Sequence, residues 1–144
     1  MLWLTIRRSR PPTAAAELKA LNALIMDWKP LSETSLRGKI SAAESRMNPE
    51  QARLWSLIRI PPQKWIQTPY GAEGGGFWVV AILGSFVVWY NDIEEGFNCS
   101  SYSQFGTINE YWCNQDELEY TIQNLYASIN TSNPSFQRIA SGDR

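Results

Sequence analysis

The densest apolar run in the chain predicts a β-hairpin. The run spans residues 77–90 and is broken only by Gly84 and Ser85. A two-residue break that begins with glycine, between runs rich in valine, isoleucine and aromatic residues, is typical of a type II′ turn, because glycine adopts positive φ without steric cost. Both faces of the predicted hairpin are apolar. We therefore expect it to lie centrally in a sheet, with helices over at least one face.

The turn also predicts which side chains share a face, because side chains alternate along a strand. Regular pairing around the turn joins three pairs on one face: Leu83 with Phe86, Ala81 with Val88, and Val79 with Tyr90. The opposite face is then expected to carry Trp78, Val80, Ile82, Val87 and Trp89.

Two helices are predicted before the hairpin. The first begins after Thr13, a suitable N-cap, and ends before Pro30. Its expected buried face has helical spacing and consists of Leu18, Leu21, Ile25 and Trp28. The second helix begins at residues 48–50, where an N-cap asparagine, a proline and an acid follow one another, and it extends to about Arg59. It is expected to bury Leu54, Leu57 and Ile58.

The segments beside these helices have weaker patterns. Residues 31–47 are polar, and we expect either a short helix near residues 41–46 or a loop. Pro61 and Pro62 are expected to end the second helix, with an extended stretch at residues 63–69. The glycine-rich stretch that follows lacks the Lys-Ser/Thr of a phosphate-binding loop, so it is interpreted as a linker or an unpaired strand start.

Two further strands and a third helix are predicted after the hairpin. The strands are expected at residues 97–102 and 107–112, which would bring Cys99 and Cys113 nearly opposite each other as reduced thiols. Residues 114–117, Asn-Gln-Asp-Glu, have the pattern of a capping box. The helix they start is expected to end near residue 130, with a stripe of Leu118, Ile122, Leu125, Tyr126 and Ile129.

The order helix, helix, about four strands, helix predicts an α+β fold with an antiparallel sheet. The two N-terminal helices and the C-terminal helix are expected to pack on the sheet around the hairpin at residues 77–90. A chain of 144 residues is about one domain in length. We place that domain at residues 13–130, after an arm or short strand at residues 1–12 and before a flexible tail at residues 131–144.

Composition limits the chemistry and the location. The chain has no histidine, which removes the usual general base, the imidazole-dependent triads and the commonest transition-metal ligand. It has no apolar run of about 18 residues that would span a membrane, and its N-terminal basic residues follow the apolar ones, unlike a secretory signal. A cytoplasmic protein without cofactor, metal or membrane partner is therefore expected.

The charges are distributed unevenly. Residues 1–72 hold 11 Lys and Arg against 5 Asp and Glu, whereas residues 73–144 hold 2 against 9. No basic residue occurs between Lys64 and Arg138, where most aromatic residues lie. Nucleic-acid binding is therefore not expected, since the phosphates require a basic groove around stacking aromatic side chains. A surface of one sign instead attracts a partner of the opposite sign.

These observations favour a binding protein over an enzyme. We expect the C-terminal acids to gather on one outward surface and to bind a basic protein, as an immunity protein or antitoxin of bacteria binds the phosphate-attracting cleft of a nuclease toxin. The predicted contact residues are Tyr90, Asp92, Glu94, Glu95, Glu110, Tyr111, Trp112 and Glu119.

Two alternatives remain at this stage. One is a carboxylate-based hydrolase, with or without a metal ion, centred on Asp92, Glu94 and Glu95. The other is a structural subunit whose aromatic faces form a homo-oligomer. The chain is accordingly expected to be a monomer or a homodimer.

Overall fold

The predicted hairpin forms the centre of the sheet. The computed structural model describes residues 11–25 and 29–132, and within them four antiparallel strands lie in the order β1-β2-β3-β4. The strands are β1 Arg59–Trp65, β2 Phe77–Leu83, β3 Phe86–Asn91 and β4 Gly96–Ser101. The helices are α1 Ala14–Ile25, α2 Glu33–Arg46, α3 Pro49–Ile58 and α4 Leu118–Ser132, and a 3-10 turn lies at Ala72–Gly74. The predicted α+β class is thus confirmed.

A β-bulge at Val80 changes the predicted register of the hairpin. Leu83, Ile82 and Ala81 pair with Phe86, Val87 and Val88 as expected, but Val79 pairs with Trp89 and not with Tyr90. The extra residue places Val80 and Ala81 in the same core, whereas Val79 lies in the core on the opposite face. The predicted faces of Trp78, Val79 and Val80 were therefore wrong, because the alternation of side chains breaks at the bulge.

The fourth strand comes from a different segment than predicted. Residues 107–112 form no strand, and only Thr107 makes a single bridge, to Ile66. The fourth strand is instead β1, one of the two edge strands, which follows α3 directly and includes Pro61 and Pro62. Proline has no N–H to donate, so an edge strand with an irregular register is a position that tolerates it.

The helix starts agree with the sequence to different degrees. Thr13 Oγ1 accepts from Ala16 N, and Asn48 forms a full capping box with Gln51, so both predicted N-caps are present. The polar stretch before Asn48 was expected to hold a short helix or a loop, but it forms the 14-residue helix α2, whose N-cap is Ser32. The C-terminal helix begins later than the pattern at residues 114–117 predicted, since Asp116 bridges to β4 and α4 begins at Leu118.

The sheet separates two cores. Helices α2, α3 and α4 cover one face, here called the helix-covered face, whose strand residues are Val80, Ala81, Val88, Tyr90, Phe97 and Cys99. The other face, here called the aromatic face, is covered by α1 and by the coil at residues 107–113. Its buried strand residues are Trp65, Phe77, Val79, Val87 and Trp89.

In its described part, helix α1 packs with the side opposite to the predicted one; Trp28 and the side chain of Ile25 lie outside the described residues. Ala20 is fully buried on the aromatic face and Ala16 packs beside it, whereas Leu18 and Leu21 are 59% and 52% exposed. Helix α3 buries Ile58 as predicted and packs Leu54 partly buried against the same core, but it leaves Leu57 exposed and buries Trp55 in addition. The short alanine side chains let α1 lie close to the aromatic rings beneath it.

The ends of the predicted domain are only partly covered. The N-terminal arm at residues 1–12 and the tail at residues 131–144 lie largely outside the described residues, although α4 extends to Ser132. None of the helices within the described ranges combines the length and the apolar character that crossing a bilayer requires.

Candidate functional site

The turn between β3 and β4 is held by the side chain of Asn91. This side chain is fully buried, and its Oδ1 accepts from the backbone N–H of Ile93 at 3.0 Å and of Glu94 at 3.1 Å. Its Nδ2 donates to the backbone oxygen of Trp112 at 3.0 Å. Glu95 takes the left-handed conformation with φ 62°, which is strained for a non-glycine residue. The fixed turn directs successive acids to different sides of the sheet.

Asp92 and Glu95 line a cleft of about 560 Å³ on the side of α2. The opposite wall comes from the segment before α2 and its first turns, and the cleft is bordered by Lys29, Pro30, Leu31, Ser32, Ser35, Lys39, Tyr90 and Ile93. Asp92 Oδ2 accepts from the backbone N–H of Leu31 at 2.7 Å, and Trp78 Nε1 donates to the Leu31 oxygen at 2.8 Å. These two bonds fix the wall against the sheet.

The cleft carries two acids and two lysines around a buried phenol. Burial raises the pKa of Tyr90 to about 12, and the charges of Glu95, Asp92 and Glu117 act in the same direction. Burial also raises the pKa of Asp92, opposed by the Leu31 N–H and by the charge of Lys64. The Lys39 ammonium lies 5.6 Å from the centroid of the Tyr90 ring, in cation–π geometry.

Glu94 and Tyr111 lie away from the cleft, beneath α1. The Glu94 side chain is only 8% exposed, and its Oε1 lies 3.4 Å from Lys19 Nζ. Tyr111 is buried on the aromatic face, with its ring 4.1 Å from that of Tyr70 between centroids. Burial is the main reason that the pKa of Tyr111 is strongly raised; the Asn91 side chain opposes the shift and the Glu94 charge adds to it.

Three of the predicted contact residues serve the fold at other places. The Glu110 carboxylate accepts from the backbone N–H and the hydroxyl of Ser101. Glu119 is buried and paired with Arg46. Trp112 is half-buried against the aromatic face and supplies its backbone oxygen to Asn91. The acids of the C-terminal half therefore do not gather on one surface, and the cleft brings together only Tyr90, Asp92 and Glu95 of the predicted set.

The sequence did not indicate the opposite wall of the cleft. Leu31, Ser32, Ser35 and Lys39 come from the stretch that was expected to hold a short helix or a loop, and Lys29 lies at the predicted end of the first helix. One local signal was present: Ser32 follows a proline by two residues and precedes an acid, the arrangement of a helix start.

Neither the cysteines nor a metal ion supplies an obvious reactive centre in the described parts of the chain. Cys99 lies on the helix-covered face and Cys113 on the aromatic face, and both thiols are reduced and buried. Burial raises the pKa of Cys99 to about 12, with Glu110 adding to the shift, so its reactive thiolate is scarce at neutral pH. Over residues 11–25 and 29–132, no three His, Cys, Asp or Glu side chains are placed to hold a metal ion.

Comparison of the chain with protein-family models, with curated proteins and with solved structures finds no match. The candidate site is therefore interpreted from its geometry and chemistry alone.

Proposed function

We propose that the protein is a binding protein whose cleft receives a basic side chain of a protein partner. The observation that carries this proposal is the pair Asp92 and Glu95, held at one mouth of the cleft by a rigid turn, with Glu95 exposed. A carboxylate on a stiff frame loses little conformational freedom when it binds, so more of the interaction energy contributes to affinity. Tyr90 beside it provides aromatic surface for an aliphatic stem or a guanidinium plane.

The lysines of the cleft favour a protein over other partners. Lys29 is exposed on the wall opposite the acids, and Lys39 lies over the Tyr90 ring. A cleft with charges of both signs matches a protein surface, where ion pairs of alternating sign fix the orientation of the partner. The finer form of the proposal is an inhibitor of the immunity or antitoxin type, with a nuclease toxin as the basic partner.

The test uses Glu95→Lys and a control of identical charge change, Glu17→Lys on the exposed surface of α1. Each tagged variant and the wild type capture proteins from the source cell, and the captured proteins are identified. Association of the purified partner is then measured by stopped flow at several salt concentrations. We expect Glu95→Lys to slow association at least tenfold and to flatten its salt dependence, with Glu17→Lys close to wild type. Equal association of all three proteins would refute the proposal.

A carboxylate-based hydrolase is the second candidate, and the raised pKa of Asp92 in a cleft is the observation that favours it. Glu94 lies on the other side of the sheet, so only Asp92 and Glu95 would share a substrate. The metal-assisted form is tested by melting the protein with millimolar calcium, magnesium or manganese ions. A rise in melting temperature that Asp92→Asn abolishes would support it, and an unchanged melting temperature would exclude it.

A further inference from the structure

We propose that Glu94 and Tyr111 form a second binding site beneath α1, for a guanidinium or alkylammonium group, and that Lys19 closes this site in the free protein. The site lies on the aromatic face, apart from the cleft of Asp92 and Glu95. It does not depend on the proposed function, and either can fail while the other stands.

The first argument is the unfilled hydrogen-bonding capacity of the two side chains. Glu94 Oε2 and the Tyr111 hydroxyl are both buried and make no hydrogen bond of normal geometry to the residues that the structure describes. The Asn91 side chain lies near the Tyr111 hydroxyl, but its Nδ2 donates to the Trp112 oxygen. A buried polar atom without a partner destabilises the fold, so native proteins rarely retain one without a reason. The Asn91 side chain joins the two segments, because it accepts from the backbone N–H of Glu94 and donates to the backbone oxygen of Trp112, next to Tyr111. Two such atoms on adjoining segments indicate a place where a donor belongs.

The second argument is the chemistry of the surrounding surface. The ring of Tyr111 lies 4.1 Å from that of Tyr70, 6.1 Å from that of Phe77 and 6.0 Å from that of Trp89. A carboxylate beside clustered aromatic rings attracts a cation through both charge and cation–π interaction. A guanidinium group also offers five N–H donors in a planar fork, enough to serve the free carboxylate oxygen and the phenol together.

The third argument is that Lys19 fills the site incompletely. Its ammonium lies 3.4 Å from Glu94 Oε1, a long contact, and its side chain is half-exposed. It leaves Glu94 Oε2 without a donor. The rest of the described α1 side chains that pack on the sheet are Ala16 and Ala20, while the larger Leu18 and Leu21 are exposed. These described α1 side chains are small, so the described part of the helix buries little apolar surface at the site, and a stronger cation can displace Lys19 there.

The experiment titrates methylguanidinium into four variants, followed by ¹H–¹⁵N NMR of Glu94, Tyr111 and Gln115, whose side-chain amide donates to the Glu94 backbone oxygen. Lys19→Met removes the competing ammonium and keeps the length of the side chain. We expect it to bind methylguanidinium at least fivefold more tightly than wild type. Lys29→Met, which removes a lysine at the cleft, should match wild type.

Two substitutions in the Lys19→Met background complete the test. Glu94→Gln, which preserves shape and removes the charge, should abolish the binding, and Tyr111→Phe should weaken it at least threefold. Circular dichroism melting confirms that each variant is folded. Binding by Lys19→Met no tighter than by wild type, or binding that survives Glu94→Gln, would overturn the proposal. Because the probe is a small cation, neither result bears on the protein partner of the cleft.

Discussion

Arg46 of α2 donates to both oxygens of Glu119 at the start of α4, from Nε at 2.6 Å and from Nη2 at 3.2 Å. The two residues are 73 positions apart in the sequence, and the Glu119 side chain is only 7% exposed. This bidentate pair joins two of the helices that cover the sheet. It also removes from the surface a carboxylate that the sequence had indicated as a contact for a partner.

Glu119→Ala is therefore expected to lower the free energy of unfolding by about 1–3 kcal/mol, because it removes a bidentate, charge-assisted hydrogen bond to a buried carboxylate. The matched control is Glu117→Ala, since Glu117 contacts the same Arg46 at 3.2 Å but is 62% exposed. An exposed ion pair contributes at most about 1 kcal/mol. Urea denaturation of the two variants measures the difference, and equal losses would show that burial does not strengthen the Glu119 pair.

Asp92 and Glu119 are expected to give the protein opposite dependences of stability on pH. Burial acts to raise the pKa of Glu119, but the Arg46 hydrogen bond, a backbone hydrogen bond and the Arg46 charge together lower it. Its stabilisation is present above the unfolded-state pKa of about 4.3 and is lost as pH falls through the folded-state pKa. The raised pKa of Asp92 does the reverse: its stabilisation is present below about 3.9 and is lost as pH rises through the folded-state pKa.

Unfolding free energies of the wild type, Asp92→Asn and Glu119→Gln between pH 3 and pH 7 measure both effects. Relative to wild type, Asp92→Asn should gain stability as pH rises, and Glu119→Gln should lose it. The same slope in both variants would contradict the assigned directions.

Gly96 and Gly38 are expected to respond oppositely to alanine. A Cβ at Gly96 would overlap the Asn114 carbonyl oxygen and the Gln115 Cα, both of them backbone atoms that cannot rotate away. Gly96→Ala should therefore cost about 3 kcal/mol. Gly38 lies within α2, and a Cβ there meets nothing within 4 Å, so Gly38→Ala should add about 0.5–1 kcal/mol. Thermal and urea unfolding measure both, and a stable Gly96→Ala variant would show that this loop can shift.

The parts of the fold that could be predicted from the sequence are those set by short-range features such as turns and helix caps. The glycine at residue 84 and the caps at Thr13 and Asn48 act within three or four residues, and each lies where the pattern predicted. The bulge at Val80 has no such signal, because Val79 and Val80 are chemically identical and only packing on the two cores distinguishes them. Strand β1 was not predicted because it contains Pro61, and proline is unfavourable within a strand except at the edge of a sheet.

One side of the candidate site could be predicted from the sequence, and the opposite wall could not. Tyr90, Asp92 and Glu95 could be selected from the sequence because they lie at the end of the predicted hairpin and in the turn that directly follows it. The wall that faces them could not, because the bond between Leu31 and Asp92 joins residues 61 positions apart. Glu94 and Glu119 form ion pairs with residues far away in the sequence, Lys19 and Arg46. The net charges of the two halves of the chain therefore could not show which acids are free to contact a partner.

The orientation of α1 is tested by paired substitutions on its two sides. Ala20 is fully buried against the aromatic face, so Ala20→Leu should force the helix outward and cost about 1–3 kcal/mol or detach it. Leu21 is half-exposed, so Leu21→Gln should change the free energy of unfolding by less than about 0.5 kcal/mol. Circular dichroism and urea unfolding distinguish the outcomes. If Leu21→Gln were the more damaging change, α1 would bury its leucine side as the sequence pattern had predicted.

The conformation of Glu95 is expected to lower the stability of the fold, while its carboxylate strengthens binding of the partner. Its φ of 62° places it in the left-handed region, where a side chain costs roughly 1–2 kcal/mol that glycine avoids. Glu95→Gly should therefore unfold at higher urea concentration than wild type, provided that the cleft carboxylate has no structural role. The same variant should bind the basic partner at least tenfold more weakly, because the exposed carboxylate is lost.

Glu95→Asn separates the two effects, since asparagine tolerates the left-handed conformation better than other residues but carries no charge. It should share the weakened binding and show a smaller gain in stability. A less stable Glu95→Gly would mean that the carboxylate supports the fold, and the strained conformation would then no longer favour a role in recognition.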